Sequence, residues 1–360
     1  MKQRQIKIGD RLIGEGQPCY IVAEISANHN QSFEIAEKII HAAKKAGADA
    51  VKLQTYTPET MTLDCEREDF QLPNDSVWSG KKLFELYAQA YTPWEWHPKL
   101  QKIAHDCGLD FFSTPFDETA VDFLDKLRIP VFKVASFEIV DLPLLKKIAE
   151  TGKPVILSTG MSSLAEIDEA VATLRKGGTK DIALLKCTSA YPAPPGGMNL
   201  NAIPYLSKSY DLPIGLSDHT LGGHVAIAAV TLGANIVEKH FILSRSDGGP
   251  DSSFSMEPEE FARMVTAIRE VEQALGGISF EPSSEELKSL GFRRSLYVVQ
   301  DIHPGEKVTL QNVRSIRPGY GLAPKFLDQV IGKSAKSSIQ KGTRLSWALL
   351  DGGGGGDISD

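Results

Sequence analysis

The chain has 360 residues, a formal net charge of -7 and a pI near 5.7, which argues against a general nucleic-acid-binding surface and leaves room for one local anion pocket. Charged residues at 24% and hydrophobic residues at 42% are ordinary for a globular protein, and the length fits a barrel of about 250 residues plus a small module. No run approaches the roughly 18 apolar residues of a membrane helix, the opening MKQRQIKIGDRLIG lacks a signal-peptide core, and Cys19, Cys65, Cys107 and Cys187 are too scattered for a disulfide frame or zinc site, so a reduced, cytoplasmic protein without membrane contact is expected.

Residues 6–14, IKIGDRLIG, predict a small hairpin that plugs the amino-terminal end of a barrel. From Tyr20 one pattern recurs: a short apolar run ends in polar residues, and a helical pattern follows. The runs are Tyr20–Ser26, Ala50–Tyr56, Asp110–Phe116, Val131–Ser136, Val155–Gly160, Ile182–Thr188, Pro213–Asp218 and Ile236–Phe241. Helical stretches at Ser32–Ala46, Trp94–Cys107, Glu118–Leu127, Leu142–Glu150, Leu164–Arg175 and Gly222–Gly233 lie between them. Buried parallel strands read as continuous apolar runs. The fold class is therefore α/β, a (β/α)8 TIM barrel. A doubly wound open sheet is the competitor, but eight units within about 240 residues favour closure.

The second connection, residues 57–92, is unusually long and lies on the edge where barrel chemistry sits. It carries Trp78 and leads into Tyr91-Thr-Pro-Trp-Glu-Trp-His97. Trp78, Trp94 and Trp96 fit substrate contact or a satellite core under a loop. His97 reads as a packed loop histidine, and His41, His105, His224 and His303 as surface or structural. The last barrel helix, Pro258–Leu275, stops at Gly276-Gly277. This gives a barrel domain over 1–277, a polar linker over 278–291, a small domain over 292–350 and a disordered Gly-rich tail over 351–360. The small domain is read as short strands and turns, with a helix near Lys325–Ile331 and a final strand near Thr343–Leu349. Its core is limited by its size, so it is expected to lean on another surface.

The strand ends carry the chemistry. The first offers Glu24, Ser26, Asn28 and His29, the second Lys52 and Gln54, the third Ser113 and Thr114. The fourth carries Lys133, Ser136 and Glu138, the fifth Ser158 and Thr159, the sixth Lys186, Thr188, Ser189 and Tyr191. Lys52 and Lys133 in apolar strands, with hydroxyls on their neighbours, point to an anion site. No GxGxxG or Walker loop offers another phosphate cradle. Glu24 and Glu238 either act as acid and base or neutralise a lysine. Ser217-Asp-His219 and Glu238-Lys-His240 end adjacent strands. Their imidazoles either share one divalent metal, leaving positions for substrate, or are two separately hydrogen-bonded histidines.

Ala23-Glu-Ile-Ser-Ala-Asn-His29, Val51-Lys-Leu-Gln-Thr55, Ser113-Thr-Pro-Phe116, Lys133-Val-Ala-Ser-Phe-Glu138, Leu157-Ser-Thr-Gly-Met161, Lys186-Cys-Thr-Ser-Ala-Tyr-Pro192, Gly215-Leu-Ser-Asp-His219 and Glu238-Lys-His-Phe241 together resemble the sialic acid synthase family. Arg293-Arg-Ser-Leu296 and Arg317-Pro-Gly319 resemble its antifreeze-like (SAF) domain, and the resemblance runs from about residue 18 to 350. It implies condensation of phosphoenolpyruvate with the open-chain aldehyde of an amino-sugar. It also implies Mn2+, or Mg2+ or Co2+, on His219 and His240. Lys52, Thr114, Lys133, Ser136, Ser158 and Ser217 would hold phosphoenolpyruvate, with Glu24 near its reacting carbon. Tyr191 and Asp251 would meet the sugar, as would Arg317 from the partner in a domain-swapped homodimer, and Glu138 is a further substrate-binding residue. Ser189 and Phe137 depart from the N-acetylneuraminate branch, and Trp78 and the 92–97 run look like the branch that forms pseudaminate from 2,4-diacetamido-2,4,6-trideoxy-altrose. Branches forming N-acetylneuraminate or legionaminate are the alternatives. A metal-dependent sugar-phosphate aldolase or isomerase, and a non-enzymatic carbohydrate-binding protein, are the rival classes.

Overall fold

The computed structural model describes residues 4–73 and 78–352. The opening hairpin pairs β1 Gln5–Ile8 with β2 Arg11–Gly14, antiparallel. Its Ile6, Ile8 and Ile13 are buried in the barrel's apolar core. Arg11 lies 3.0 Å from Asp49 and 3.5 Å from Asp110, both at the amino-terminal ends of barrel strands. The hairpin therefore covers that end and leaves the opposite rim for chemistry.

The barrel strands are β3 Tyr20–Glu24, β4 Ala50–Thr55, β5 Asp110–Pro115, β6 Phe132–Val134, β7 Val155–Ser158, β8 Ile182–Cys187, β9 Ile214–Asp218 and β10 Ile236–His240. All are parallel, each pairs with the next, and β10 closes on β3. The fold is the expected (β/α)8 barrel. Only β6 is clearly shorter than its apolar run. After Val134 the chain turns, and the Glu138 amide donates to the Ala135 carbonyl at 3.2 Å. The surrounding helices are α1 Phe33–Lys45, α2 Pro58–Met61, α3 Leu83–Ala90, α4 His97–Asp106, α5 Glu118–Lys126, α6 Leu142–Glu150, α7 Leu164–Lys176, α8 Ala202–Tyr210, α9 His224–Thr231 and α10 Pro258–Leu275. Ser32, Asp117, Asp141 and Ser163 cap α1, α5, α6 and α7 by accepting from first-turn amides. Helices α2 and α3 are carried by the long second connection.

The chain divides at Gly276–Gly277 into two compact units. In the second, the stretch read as a linker carries α11 Ser284–Ser289, with Ser283 and Glu286 forming a reciprocal cap. Strands β11 Ser295–Val298 and β12 Val313–Ile316 pair antiparallel, and α12 Leu327–Val330 follows. Leu296, Val298, Val313, Val330, Ile339 and Leu345 are among the residues of its small core. The final strand expected near Thr343–Leu349 is reduced to a bridge between Arg344 and Tyr297. Trp347–Leu349 instead turns as a 3-10 helix, which brings Leu350 into the core. Of the Gly-rich tail, residues 353–360 lie outside the described residues. No helix among the described residues is long and apolar enough to cross a membrane.

Candidate active site

Parallel register sets Glu24 beside Lys52, and Glu238 beside Ser217. Their side chains meet inside the barrel. Lys52 Nζ lies 2.6 Å from Glu24 Oε2 and 3.6 Å from Glu238 Oε1, and Lys133 Nζ lies 3.9 Å from Glu238 Oε1. Lys52 donates to Thr114 Oγ1 at 3.3 Å, Lys133 to Ser158 Oγ at 2.7 Å, and Ser217 to Glu238 Oε1 at 3.2 Å. All of these residues are buried. The two carboxyl groups thus do pair with lysines, as one of the two sequence readings held.

The neighbouring lysines separate the two acids. Burial raises Glu24 against the pull of Lys52, with Glu238 adding to the rise. Burial would raise Glu238 too, but Lys133 and Lys52 outweigh it and hold that group low. Burial alone would lower Lys52, yet Glu238 and Glu24 keep it high, whereas burial prevails at Lys133 and lowers it. Glu24 Oε1 and Glu238 Oε2 are buried without a hydrogen-bond partner. Two acids with pKa values pushed apart are a recognisable acid–base arrangement.

Around this cluster the loops approach closely. The Gly160 amide donates to Ser136 Oγ at 3.0 Å. A Cβ at Gly160 would lie 2.4 Å from Ser189 Oγ and 2.7 Å from Ser136 Oγ, so the loops after β6, β7 and β8 meet only because residue 160 has no side chain. Lys186 donates to the Cys187 carbonyl at 2.6 Å and sits 3.5 Å from Thr188 Oγ1. Its place at the end of a barrel strand was visible in the sequence, but it was not singled out for the site.

The two imidazoles stand side by side, ring centroids 5.4 Å apart. His219 Nδ1 is 3.1 Å from the Thr188 carbonyl and 3.8 Å from Cys187 Sγ. With the Nδ1 proton donated to that carbonyl, Nε2 keeps its lone pair. Burial would depress His219, but the Cys187 and Thr188 contacts outweigh it and raise the group. His240 is held well below the ordinary range by burial and by the charges of His219 and Lys52, so it is neutral. His240 Nδ1 is buried without a hydrogen-bond partner, and Asp251 Oδ2 lies 3.8 Å away. Uncommitted imidazole nitrogens beside a carboxylate fit a divalent cation. Among the described residues no group of three or more His, Cys, Asp or Glu is arranged to hold a metal. The chain's own contribution would be the two imidazoles, the other positions falling to substrate or water. On the opposite face of the same strands, Lys239 pairs with Asp218 at 2.8 Å and donates to the Thr220 carbonyl at 2.6 Å.

Asp251 joins this centre from the loop after β10. Ser26 Oγ donates to its Oδ2 in a short bond, and burial raises its pKa. Glu138, in the loop after β6, has one buried carboxyl oxygen without a partner, and burial raises its pKa to about 7. The Tyr191 ring is 4.5 Å from that of His219. Of Trp78, Trp94 and Trp96, the latter two take the satellite-core role. Trp94 donates to the Tyr56 carbonyl at 3.0 Å and stacks on Phe123, and Trp96 meets His29 and Phe33 edge-on, so both serve a satellite core. His97 is buried, with Nε2 2.8 Å from Thr55 Oγ1. Trp78 lies by Tyr191 and Phe254 instead. Phe254 was missed in the sequence: a lone aromatic in the loop after β10 has no periodicity to mark it. Arg317 is exposed, just after β12, in the second unit.

Residues 39–279 match the NeuB family over two thirds of the chain. The chain belongs to the NeuB family. Residues 293–351 match the SAF domain. This NeuB-family chain is 44% identical to the pseudaminic acid synthase of Helicobacter pylori over 92% of its own length and 97% of the relative's. It is 36% identical to the N,N'-diacetyllegionaminic acid synthase of Legionella pneumophila, covering 94% of this chain and 96% of that one. Among solved structures, the N-acetylneuraminic acid synthetase of Leptospira borgpetersenii, in complex with citrate, superposes with a TM-score of 0.71 at 32% identity, over 80% of this chain and 95% of that one.

Proposed function

We propose that this chain condenses phosphoenolpyruvate with the aldehyde of 2,4-diacetamido-2,4,6-trideoxy-altrose and water, giving pseudaminate and inorganic phosphate. The observation that carries the reading is the meeting of two buried lysines and several hydroxyls with a pair of imidazoles at one barrel rim. The 44% identity to a pseudaminic acid synthase supports the choice of sugar. Lys52, Lys133, Thr114, Ser136, Ser158 and Ser217 supply the charge and donors that the carboxylate and phosphate of phosphoenolpyruvate require. Their charge acts on ground state and transition state alike, so part of their effect is binding and not rate. His219 and His240 would hold a divalent ion, Mn2+ or similar, which when bound supplies Lewis acidity to the sugar aldehyde. Glu24 orients and deprotonates the water added at C2 once its partner lysine turns to phosphate. Asp251, Glu138 and Tyr191 orient the sugar. Arg317 reaches the sugar from the second unit of a partner in a domain-swapped homodimer, and the protein works in the cytoplasm.

Phosphate release with saturating phosphoenolpyruvate tests the sugar. Turnover is expected to be fastest with the trideoxy diacetamido sugar. Preference for N-acetylmannosamine, or for the legionaminate precursor, would overturn the choice.

A further inference from the structure

Three aromatic rings from three separate loops cluster beside the His219–His240 pair, Tyr191 and Phe254 against the imidazoles and Trp78 against those two rings. Tyr191 follows β8 and lies 4.5 Å from the His219 ring. Phe254 follows β10, 5.1 Å from the His240 ring and 5.2 Å from Tyr191. Trp78, from the long second connection, lies 5.7 Å from Tyr191 and 6.5 Å from Phe254. Its indole N–H donates to the Pro250 carbonyl at 2.8 Å, which holds the ring against the loop after β10. Phe254 is buried, while Trp78 and Tyr191 keep part of their surface exposed. The site therefore has two unlike halves. One is charged and rich in hydroxyls; the other is largely aromatic carbon, with the Tyr191 hydroxyl and the Asp251 carboxyl as its polar groups.

We propose that Trp78, Tyr191 and Phe254 form the wall that selects the sugar, packing against its C6 methyl and acetamido methyl groups and disfavouring a hydroxyl at C6. The inference rests on the reading of the imidazole pair as the place where the sugar aldehyde is held. A sugar anchored there by its C1 end extends beside these rings. A methyl group on the wall leaves water for carbon, whereas a hydroxyl there loses water without gaining a partner. Apolar surfaces reject an added hydroxyl only moderately, by a factor of about 100 at most. The long second connection thereby acquires a purpose, as it brings Trp78 to the rim.

The test compares kcat/KM for 2,4-diacetamido-2,4,6-trideoxy-altrose and its 6-hydroxy analogue, with saturating phosphoenolpyruvate, in wild type, Trp78→Ala and Trp78→Phe. The wild type is expected to favour the 6-deoxy sugar by about 10- to 100-fold. Trp78→Ala is expected to bring the two sugars within about threefold, through a higher KM for the 6-deoxy sugar, with KM for phosphoenolpyruvate unchanged as proof of an intact fold. Trp78→Phe should keep most of the preference. An undiminished ratio in Trp78→Ala overturns the wall and leaves the proposed reaction standing. A wild type that itself prefers the 6-hydroxy sugar overturns the sugar assignment and the wall together.

Discussion

Glu138 has one carboxyl oxygen buried and unbonded, and burial brings its pKa to about 7, inside the working range of an enzyme. A carboxyl group raised from 4.5 to about 7 on folding keeps a proton that the unfolded chain has lost between those values. Its stabilising contribution is therefore complete below pH 4.5 and disappears as pH rises through about 7. In catalysis the same titration is expected as an inflection near pH 7 in kcat/KM for the sugar, abolished by Glu138→Gln. An inflection that survives the substitution belongs to another group. His219→Ala removes an imidazole that no neighbour replaces. Turnover should fall by more than about 100-fold, beyond the 10- to 100-fold that loss of a mere supporting contact costs, and direct Mn2+ binding should weaken with it. Normal Mn2+ affinity in this variant would count against its role as a ligand. At this scale Lys52, Lys133, His219 and His240 were legible because each is a polar residue in an apolar strand or directly after one. The neutral state of His240 and the separation of Glu24 from Glu238 were not, because they arise from burial and from charges brought together by folding.

The strands were legible as elements because a parallel sheet covered on both faces needs unbroken apolar runs. The loops were less so: Phe254 and the packing roles of Trp94 and Trp96 depend on contacts between distant segments. The short outer link between β9 and β10 was equally hidden. Lys239 and Asp218 are nearly inaccessible, at 1% exposure each, and pair on the outer face of the strands that bear the two imidazoles. Replacing Lys239 by Met leaves Asp218 buried without its cation, and urea unfolding should show a loss of about 3–5 kcal/mol. The joint variant Asp218→Leu with Lys239→Met should lose less, since neither charge is left alone. A single variant as stable as wild type would show that the pair contributes little. Gly160 operates between loops. Gly160→Ala forces a Cβ against Ser136 and Ser189, so KM for phosphoenolpyruvate should rise while the unfolding midpoint changes little. An unchanged KM would mean that the loops have room to adjust.

On the scale of the whole molecule, the two units differ in how well each was read. The barrel was legible from a repeat of eight similar segments. The second unit offers only short strands and turns, so the helix within 278–291 and the turn at Trp347–Leu349 were not seen. Its exposed Arg317 tests whether that unit takes part in the reaction. Arg317→Ala should raise KM for the sugar with little change for phosphoenolpyruvate, and the reverse pattern would count against a sugar contact. The central claim, that one rim joins phosphoenolpyruvate to an amino-sugar with the help of a cation on His219 and His240, is tested most directly by product stoichiometry. Purified protein, phosphoenolpyruvate and 2,4-diacetamido-2,4,6-trideoxy-altrose should yield phosphate and a nine-carbon 2-keto acid in equal amounts, neither forming after chelation and both returning with Mn2+. Phosphate release without the sugar, or an undiminished yield after complete removal of metal, would contradict it.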